Sequence, residues 1–400
     1  MTVDPRAGVT VDPKAGVTAP QGFRAAGIAA GIKAGGRPDL AMVVNDGPDD
    51  TAAGVFTRNK VKAAPVLWTR QVLTHHRLRA VVLNSGGANA CTGPDGFADT
   101  HATAEATARA LDVGAVDVAV CSTGLIGERL PMPAVLHGVE RIVGNLDATT
   151  EAGLAAAVAV MTTDSVPKQA ALTDPDGWTV GGFAKGAGML APSLATMLVV
   201  LTTDAVADAP TVDAALRSAT RTTFDRLDVD GSCSTNDTVL LLASGASGHR
   251  PTAAELTAAV TAVCAELATQ LLHDAEGMTK RVTITVDGAA DEDDAVAVGR
   301  AVARDSLVKT ALFGSDPNWG RVVAAVGMAD AEVDPDRIDV TINGITLCRN
   351  GYAADDRSAA NLDGPDVTVH IGLNVGTDGA TVRTTDLSHA YVEENSAYSS

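Results

Sequence analysis

Short apolar stretches alternate with Ala-rich segments of helical period along most of this chain. Ala80-Val-Val-Leu83 and Val116-Asp-Val-Ala-Val-Cys121 have the length and β-branched content of buried strands, whereas residues 102–111 repeat at the period of a helix. Each of these strands runs into a turn of small polar residues, Asn84-Ser-Gly-Gly-Ala-Asn89 after the first and Ser122-Thr-Gly124 after the second. Loops at strand ends are where sites usually form. Thr252-Ala-Ala-Glu255 is a capping box that opens a long amphipathic helix, and the pattern predicts that this helix closes at Glu276-Gly277. Beyond it, 281–286, 337–342 and 366–371 alternate at period two, with a helical stretch over 293–312 between the first pair. The pattern predicts an α/β fold throughout, in two packed units.

The N-terminus departs from this pattern. A tandem octapeptide, Thr2 to Val9 and then Thr10 to Val17, is too short and polar to bury a core, so 1–17 is expected to be a flexible tail. It offers no apolar segment of the signal-peptide kind, and the longest apolar run, Leu154 to Met161, is far below the roughly 18 residues of a membrane span. The expected location is cytoplasmic, with no membrane partner.

Composition narrows the chemistry. The 400 residues carry 30 Lys and Arg against 49 Asp and Glu, a net charge of −19, which argues against simple polyanion binding. Six phenylalanines, three tyrosines and three tryptophans give no stacking platform, so nucleic acid is not an expected partner and small molecules are. The five cysteines, Cys91, Cys121, Cys233, Cys264 and Cys348, form no C-x-x-C pair and are expected to be reduced thiols, mostly buried. The histidines form no H-E-x-x-H pair, and no G-x-S-x-G occurs, so neither a metallohydrolase nor an α/β-hydrolase is indicated. Asp228, Asp230 and Asp237 fit part of a calcium loop, but Arg226 stands at its first ligand position and a strand-like run follows; no role is assigned to them.

The richest segment runs from Val180 to Leu201, glycine-rich, then small, then strand-like. Gly186-Ala-Gly188-Met-Leu-Ala191 fits G-x-G-x-x-A, but a β-branched run arrives where a dinucleotide site needs a helix, and Lys185 precedes the glycines instead of following them. A different chemistry is open to Ala195-Thr196. A threonine hydroxyl that attacks the preceding carbonyl gives an ester; hydrolysis then frees a threonine N-terminus whose amine can serve as its own base. Composition and spacing alone favour the plainer reading, a threonine in a half-buried strand.

This segment resembles the self-cleaving ornithine acetyltransferases, the glutamate N-acetyltransferases of arginine biosynthesis. The likeness extends to Val17-Thr-Ala-Pro-Gln-Gly-Phe23, 80–91, Ser122-Thr-Gly-Leu-Ile-Gly127, Ser234-Thr-Asn-Asp237 and Ser315-Asp-Pro-Asn-Trp-Gly-Arg321, in family order. It covers everything after the tail.

The resemblance implies a four-layer α-β-β-α sandwich over 18–285 and a smaller C-terminal α/β domain over 286–400, whose last residues complete the site. It implies cleavage between Ala195 and Thr196 into an α chain, 1–195, and a β chain, 196–400, which stay together as α2β2. Thr196 would be the nucleophile that takes acetyl from N-acetylornithine and passes it to glutamate in a ping-pong cycle, with no metal and no cofactor. Whether acetyl-CoA also serves as donor is left open. Thr123 and Gly124 match the positions whose hydroxyl and backbone N–H stabilise the oxyanion. Thr162, Lys185, Thr196, Glu276, Asn395 and Ser400 match the substrate positions; Ser400 stands where the family often has threonine and keeps the hydroxyl. Lys185 suits an α-carboxylate. Glu276, at the expected helix C-terminus, would be misplaced by up to about 1 kcal/mol unless it binds an amine. Two other readings remain: a self-processing aminopeptidase or amidase of related fold, with water as acceptor, and a stably folded binding protein in which the 195–196 bond stays intact.

Overall fold

The computed structural model describes residues 10–189 and 197–397. In the first two thirds of the chain the elements are β1 (Phe23–Ile28), β2 (Leu40–Asn45), β3 (Thr51–Phe56), α1 (Ala64–Val72), β4 (Ala80–Asn84), α2 (Gly93–Leu111), β5 (Val118–Ser122), α3 (Met132–Ile142), α4 (Thr150–Ala159), β6 (Lys168–Thr173), β7 (Thr179–Lys185), β8 (Leu198–Thr203), α5 (Ala209–Thr222), β9 (Thr238–Ala243) and α6 (Ala253–His273). They form two sheets, in strand orders β1-β2-β4-β5 and β3-β9-β8-β7-β6.

Period-two alternation decides how these sheets stack. Leu198, Val200, Leu240 and Leu242 join a core with the four-stranded sheet and α1 to α4, whereas their neighbours Val199, Leu201, Val239 and Leu241 join a second core with α5 and α6. Both faces of β8 and β9 are therefore apolar, and the layers run helices, four strands, five strands, helices. This is the expected four-layer α-β-β-α sandwich. α6 alone among the described residues is long and apolar enough to cross a membrane by length and composition. Its Leu256, Val260, Val263, Leu267 and Leu271 are spent on the second core.

A third sheet, in strand order β13-β12-β11-β14-β10-β15, follows. Its elements are β10 (Arg281–Ala289), α7 (Glu292–Arg304), α8 (Ser306–Phe313), α9 (Trp319–Val326), β11 (Asp339–Ile342), β12 (Ile345–Arg349), β13 (Tyr352–Ala353), β14 (Asp366–Gly372), β15 (Asp378–Thr385) and α10 (His389–Ala397). It has its own core, from Val282 to Val382. The expected boundary after residue 285 falls inside β10.

Several expectations shift at element ends. The helical stretch over 293–312 is two helices, because Asp305 leaves the helical region (φ −69°, ψ 116°) and its carboxylate caps the second at Val308 N–H. α6 carries the expected capping box but ends at His273, short of Glu276. Asp274 turns out of the helix there, and its carboxylate accepts from Lys168 and Ser165. Residues 115–117 form a 3-10 turn, so β5 starts only at Val118.

β7 has glycines at 181 and 182, which the periodicity could not read as strand. Close backbone approach explains both: a Cβ on Gly182 would lie 2.7 Å from Val200 O, and one on Gly181 only 2.2 Å from Gly16 O. The second contact belongs to the expected tail. Asp12 exchanges two backbone hydrogen bonds with Ala171 (2.8 and 2.9 Å), Gln169 Nε2 donates to Lys14 O (2.6 Å), Thr202 Oγ1 donates to Val17 O (2.8 Å), and Val17 is wholly buried. From residue 10 on, the octapeptide segment is therefore held against the five-stranded sheet.

That docking yields a test. Gly181→Ala is expected to lower stability by about 1–3 kcal/mol through overpacking and to loosen the 10–17 segment. A fall in melting temperature, together with new proteolytic cuts before residue 17, would be observed in the variant.

Candidate active site

Two strand-end loops form one wall of the site. β4 and β5 run parallel, so Asn84 and Ser122 end side by side and the chain leaves both in the same direction. Thr123 N–H donates to Asn84 O (3.0 Å) and Gly87 N–H to Thr123 O (3.1 Å). Gly124 sits at φ +130°, where a Cβ would meet Gly87 N at 2.9 Å, so only glycine brings its backbone this close. Asn236, in the loop before β9, donates from Nδ2 to Ala88 O (2.6 Å) and Ser122 O (2.8 Å), fastening both loops to the five-stranded sheet.

Lys185 ends β7, buried to 1% exposure. Its ammonium donates to Thr162 Oγ1 (2.8 Å) and Thr123 Oγ1 (3.3 Å) and lies 3.9 Å from Asp164 Oδ2. Having accepted from the lysine, the Thr123 hydroxyl must turn its own hydrogen elsewhere. Asp164 is buried too, and accepts from Gly186 N–H (2.6 Å), Thr162 N–H (3.1 Å) and Lys168 Nζ (2.7 Å). Burial would raise its pKa, but Lys185, Lys168 and the Gly186 N–H outweigh burial and hold it down at about 2. Burial also dominates at Lys185, and there it wins: the pKa is lowered, against the opposing pull of Asp164, Asp237 and Glu276.

Glu276 lies in the turn three residues past α6, so the helix dipole is not what holds it. Its N–H donates to Ala187 O (3.1 Å) and its Oε2 accepts from Asn395 Nδ2 of α10 (3.0 Å). Gly188 packs against the carboxylate so closely that a Cβ there would sit 2.4 Å from Oε2. Gly277, at φ +60°, lets Tyr391 of α10 pass over the turn, and Ser388 Oγ donates to Gly277 O.

Thr123, Gly124, Thr162, Lys185, Glu276 and Asn395, scattered over 273 positions of sequence, line one cavity of about 180 Å3. Ala195, Thr196 and Ser400 lie outside the described residues. The nearest described neighbour, Met197, donates its N–H to Asp237 Oδ1 (3.0 Å), and Leu198 faces Lys185 in register. Asp237 is fully buried, which pushes its pKa well above the usual carboxylate range despite the Met197 N–H and Lys185. Lys185 and Asp237 therefore flank the start of β8.

Sequence reasoning passed over Asp164, Lys168, Asn236 and Asp237. Ser234-Thr-Asn-Asp237 stands among the family-like stretches and Asp164 follows Thr162 by two positions, yet none of the four has a telling spacing of its own. The partial calcium loop is dispersed: Asp237 holds Met197 N–H, Asp228 pairs with Arg304 (2.7 Å), and Asp230 reaches the cavity. Cys121, Cys264 and Cys348 are buried free thiols, and burial pushes Cys121 up to about 12.

Comparison with known proteins bears on this arrangement. Residues 24–400 match the model of the ArgJ family. The arginine biosynthesis bifunctional protein ArgJ of Mycobacterium tuberculosis (strain ATCC 25618 / H37Rv) is 66% identical over 387 residues, covering 96% of each chain. That of Thermobifida fusca is 60% identical over 381 residues, covering 95% of this chain and 99% of its own. A solved structure, ornithine acetyltransferase complexed with ornithine from Mycobacterium tuberculosis, is 67% identical, covers 46% of this chain and 98% of its own, and has a TM-score of 0.46. With a family model spanning 24–400 and relatives above 60% identity along nearly their whole length, the chain belongs to the ArgJ family of arginine-biosynthesis enzymes.

Proposed function

We propose that this chain transfers the acetyl group of N-acetylornithine to glutamate by a ping-pong cycle through Thr196. The observation that carries the reading is the convergence of Thr123, Gly124, Thr162, Lys185, Glu276 and Asn395 on one small cavity beside the start of β8.

The proposed chemistry follows from what each group can do. Lys185 supplies the positive charge for the α-carboxylate that donor and acceptor share, and Glu276, oriented by Asn395, supplies the negative charge for the side-chain ammonium of ornithine. Attack of the Thr196 hydroxyl on the acetyl carbonyl, with its own amine taking the proton, creates an oxyanion. The Thr123 hydroxyl, already accepting from Lys185, is oriented to donate to it, with Gly124 N–H as partner. Ornithine leaves as the amine, and glutamate then takes the acetyl group by the reverse path. No metal or cofactor enters this scheme. Acetyl-CoA with glutamate, assayed beside N-acetylornithine with glutamate, tests whether a second donor is used.

Scission between Ala195 and Thr196 belongs to the same proposal, and the strand order supports its being tolerated. The five-stranded sheet would then alternate chains, with β3, β7 and β6 from the α chain and β9 and β8 from the β chain. Six register pairs join β7 to β8 and six join β3 to β9, so the fragments would stay paired without the covalent link. Assembly as α2β2 and a cytoplasmic location complete the reading.

Three outcomes are expected. The purified 40.5 kDa protein should run as two bands of about 20 kDa on a denaturing gel, and Thr196→Ala as one, without transferase activity. Thr123→Ala should slow turnover by about 100- to 1000-fold, the worth of one oxyanion donor, with Thr123→Ser retaining most of it. Because burial lowers the Lys185 pKa, kcat/KM should fall on the alkaline side at a pH below the ordinary lysine value of 10.5, as the ammonium that binds the carboxylate is lost. Asp164 opposes that lowering, so Asp164→Asn should move this alkaline limb to still lower pH. A limb that stays put in the variant would remove Lys185 from the scheme.

A further inference from the structure

Lys168, wholly buried at 0% exposure, stands near the cavity without lining it. It stands at the start of β6 and donates to two carboxylates that belong to opposite sides of the site, Asp164 Oδ1 at 2.7 Å and Asp274 Oδ2 at 2.5 Å. On one side, Asp164 holds Gly186 N–H, Thr162 N–H and the neighbourhood of the Lys185 ammonium. On the other, Asp274 begins the turn that carries Glu276 two residues later. Asp274 also accepts from Ser165 N–H (3.0 Å) and Ser165 Oγ, the residue after Asp164.

These contacts close a ring. The Glu276 turn is joined to the loop after β7 by the backbone bond from Glu276 N–H to Ala187 O. The path from Asp274 through Lys168 and Ser165 to the Asp164 segment is a second attachment of the same turn to the same wall.

We propose that Lys168 and Asp274 are positioning residues that fix the separation between the Lys185 ammonium and the Glu276 carboxylate, and thereby select the length of the amino acid held between them. This rests on the reading of Lys185 and Glu276 as the two ends of the donor site. A buried ammonium shared by two carboxylates suits such a task, since its geometry is held by charge-assisted hydrogen bonds on both sides and solvent does not screen them. Neither residue touches the substrate in this scheme, so its loss should alter recognition more than chemistry.

The test compares N2-acetylornithine with N2-acetyllysine, one methylene longer, as donors for glutamate. A site of fixed span should favour the shorter donor in kcat/KM by about tenfold or more, the usual worth of one methylene. In Asp274→Ala and in Lys168→Met that preference should shrink at least about threefold, through a rise in KM for N2-acetylornithine that exceeds any fall in kcat. General loss of folded protein would lower both donors equally and leave the ratio where it was. Circular dichroism and the two-band pattern on a denaturing gel identify a variant that does not fold. Should Lys168→Met be one, because a buried carboxylate loses its partner, Asp274→Ala decides alone, its side chain lying at the edge of the buried network. An unchanged ratio in folded Asp274→Ala overturns the proposal. Wild-type protein inactive on N2-acetylornithine overturns the underlying reading as well, and that result appears before any variant is made.

Discussion

A lysine ammonium buried to 1% exposure is the constraint around which this molecule is arranged. Removing such a charge from water is costly, and the cost is offset only where a counter-charge and hydrogen-bond acceptors are already in place. Lys185 receives both: Asp164 close by, and the hydroxyls of Thr162 and Thr123 within reach. These partners come from two separate places in the fold, Thr162 and Asp164 sharing one segment. Thr123 comes from the end of β5 and Asp164 from the segment before β6, and the β5 loop is fastened by Asn236 from the segment before β9. The two stacked sheets therefore meet at one charge, and that charge faces the cavity.

The second anchor, Glu276, is held by different means. Its position depends on glycines: Gly188, which no larger residue could replace without striking the carboxylate, and Gly277, whose positive φ admits α10. α10 belongs to the C-terminal unit and brings Asn395 to the carboxylate. A site built this way draws on both stacked sheets and, among the described residues, on the C-terminal unit through its last helix.

How much of this could be read beforehand follows from the kind of signal each feature leaves. The α6 capping box and the alternating strands of the third sheet were legible, because each has one polar and one apolar face and a local stop or start signal. β7 was not, since Gly181 and Gly182 carry no hydropathy; their reason lies in Gly16 and Val200, far along the chain. The end of α6 was misplaced because the residue that stops it, Asp274, is turned by Lys168, a partner 106 positions away. Composition and spacing could not place the site residues in one cavity. Six of those expected from the family likeness do converge there, whereas the buried groups that hold them, Asp164, Lys168, Asn236 and Asp237, read in the sequence as ordinary polar residues near motifs.

Under the proposed scission, the strand order β3-β9-β8-β7-β6 would govern how the cut molecule ages. In an unbroken chain, any disruption of that sheet can be repaired by the same polypeptide. After the proposed scission, neighbouring central strands would belong to separate molecules, and recovery from full unfolding would require two diluted partners to find each other again. Loss of the mature form would then be governed by how slowly the interleaved strands come apart, a matter of rate and not of equilibrium. The 12 register pairs joining the two fragments across that sheet would act as a lifetime setting for the enzyme.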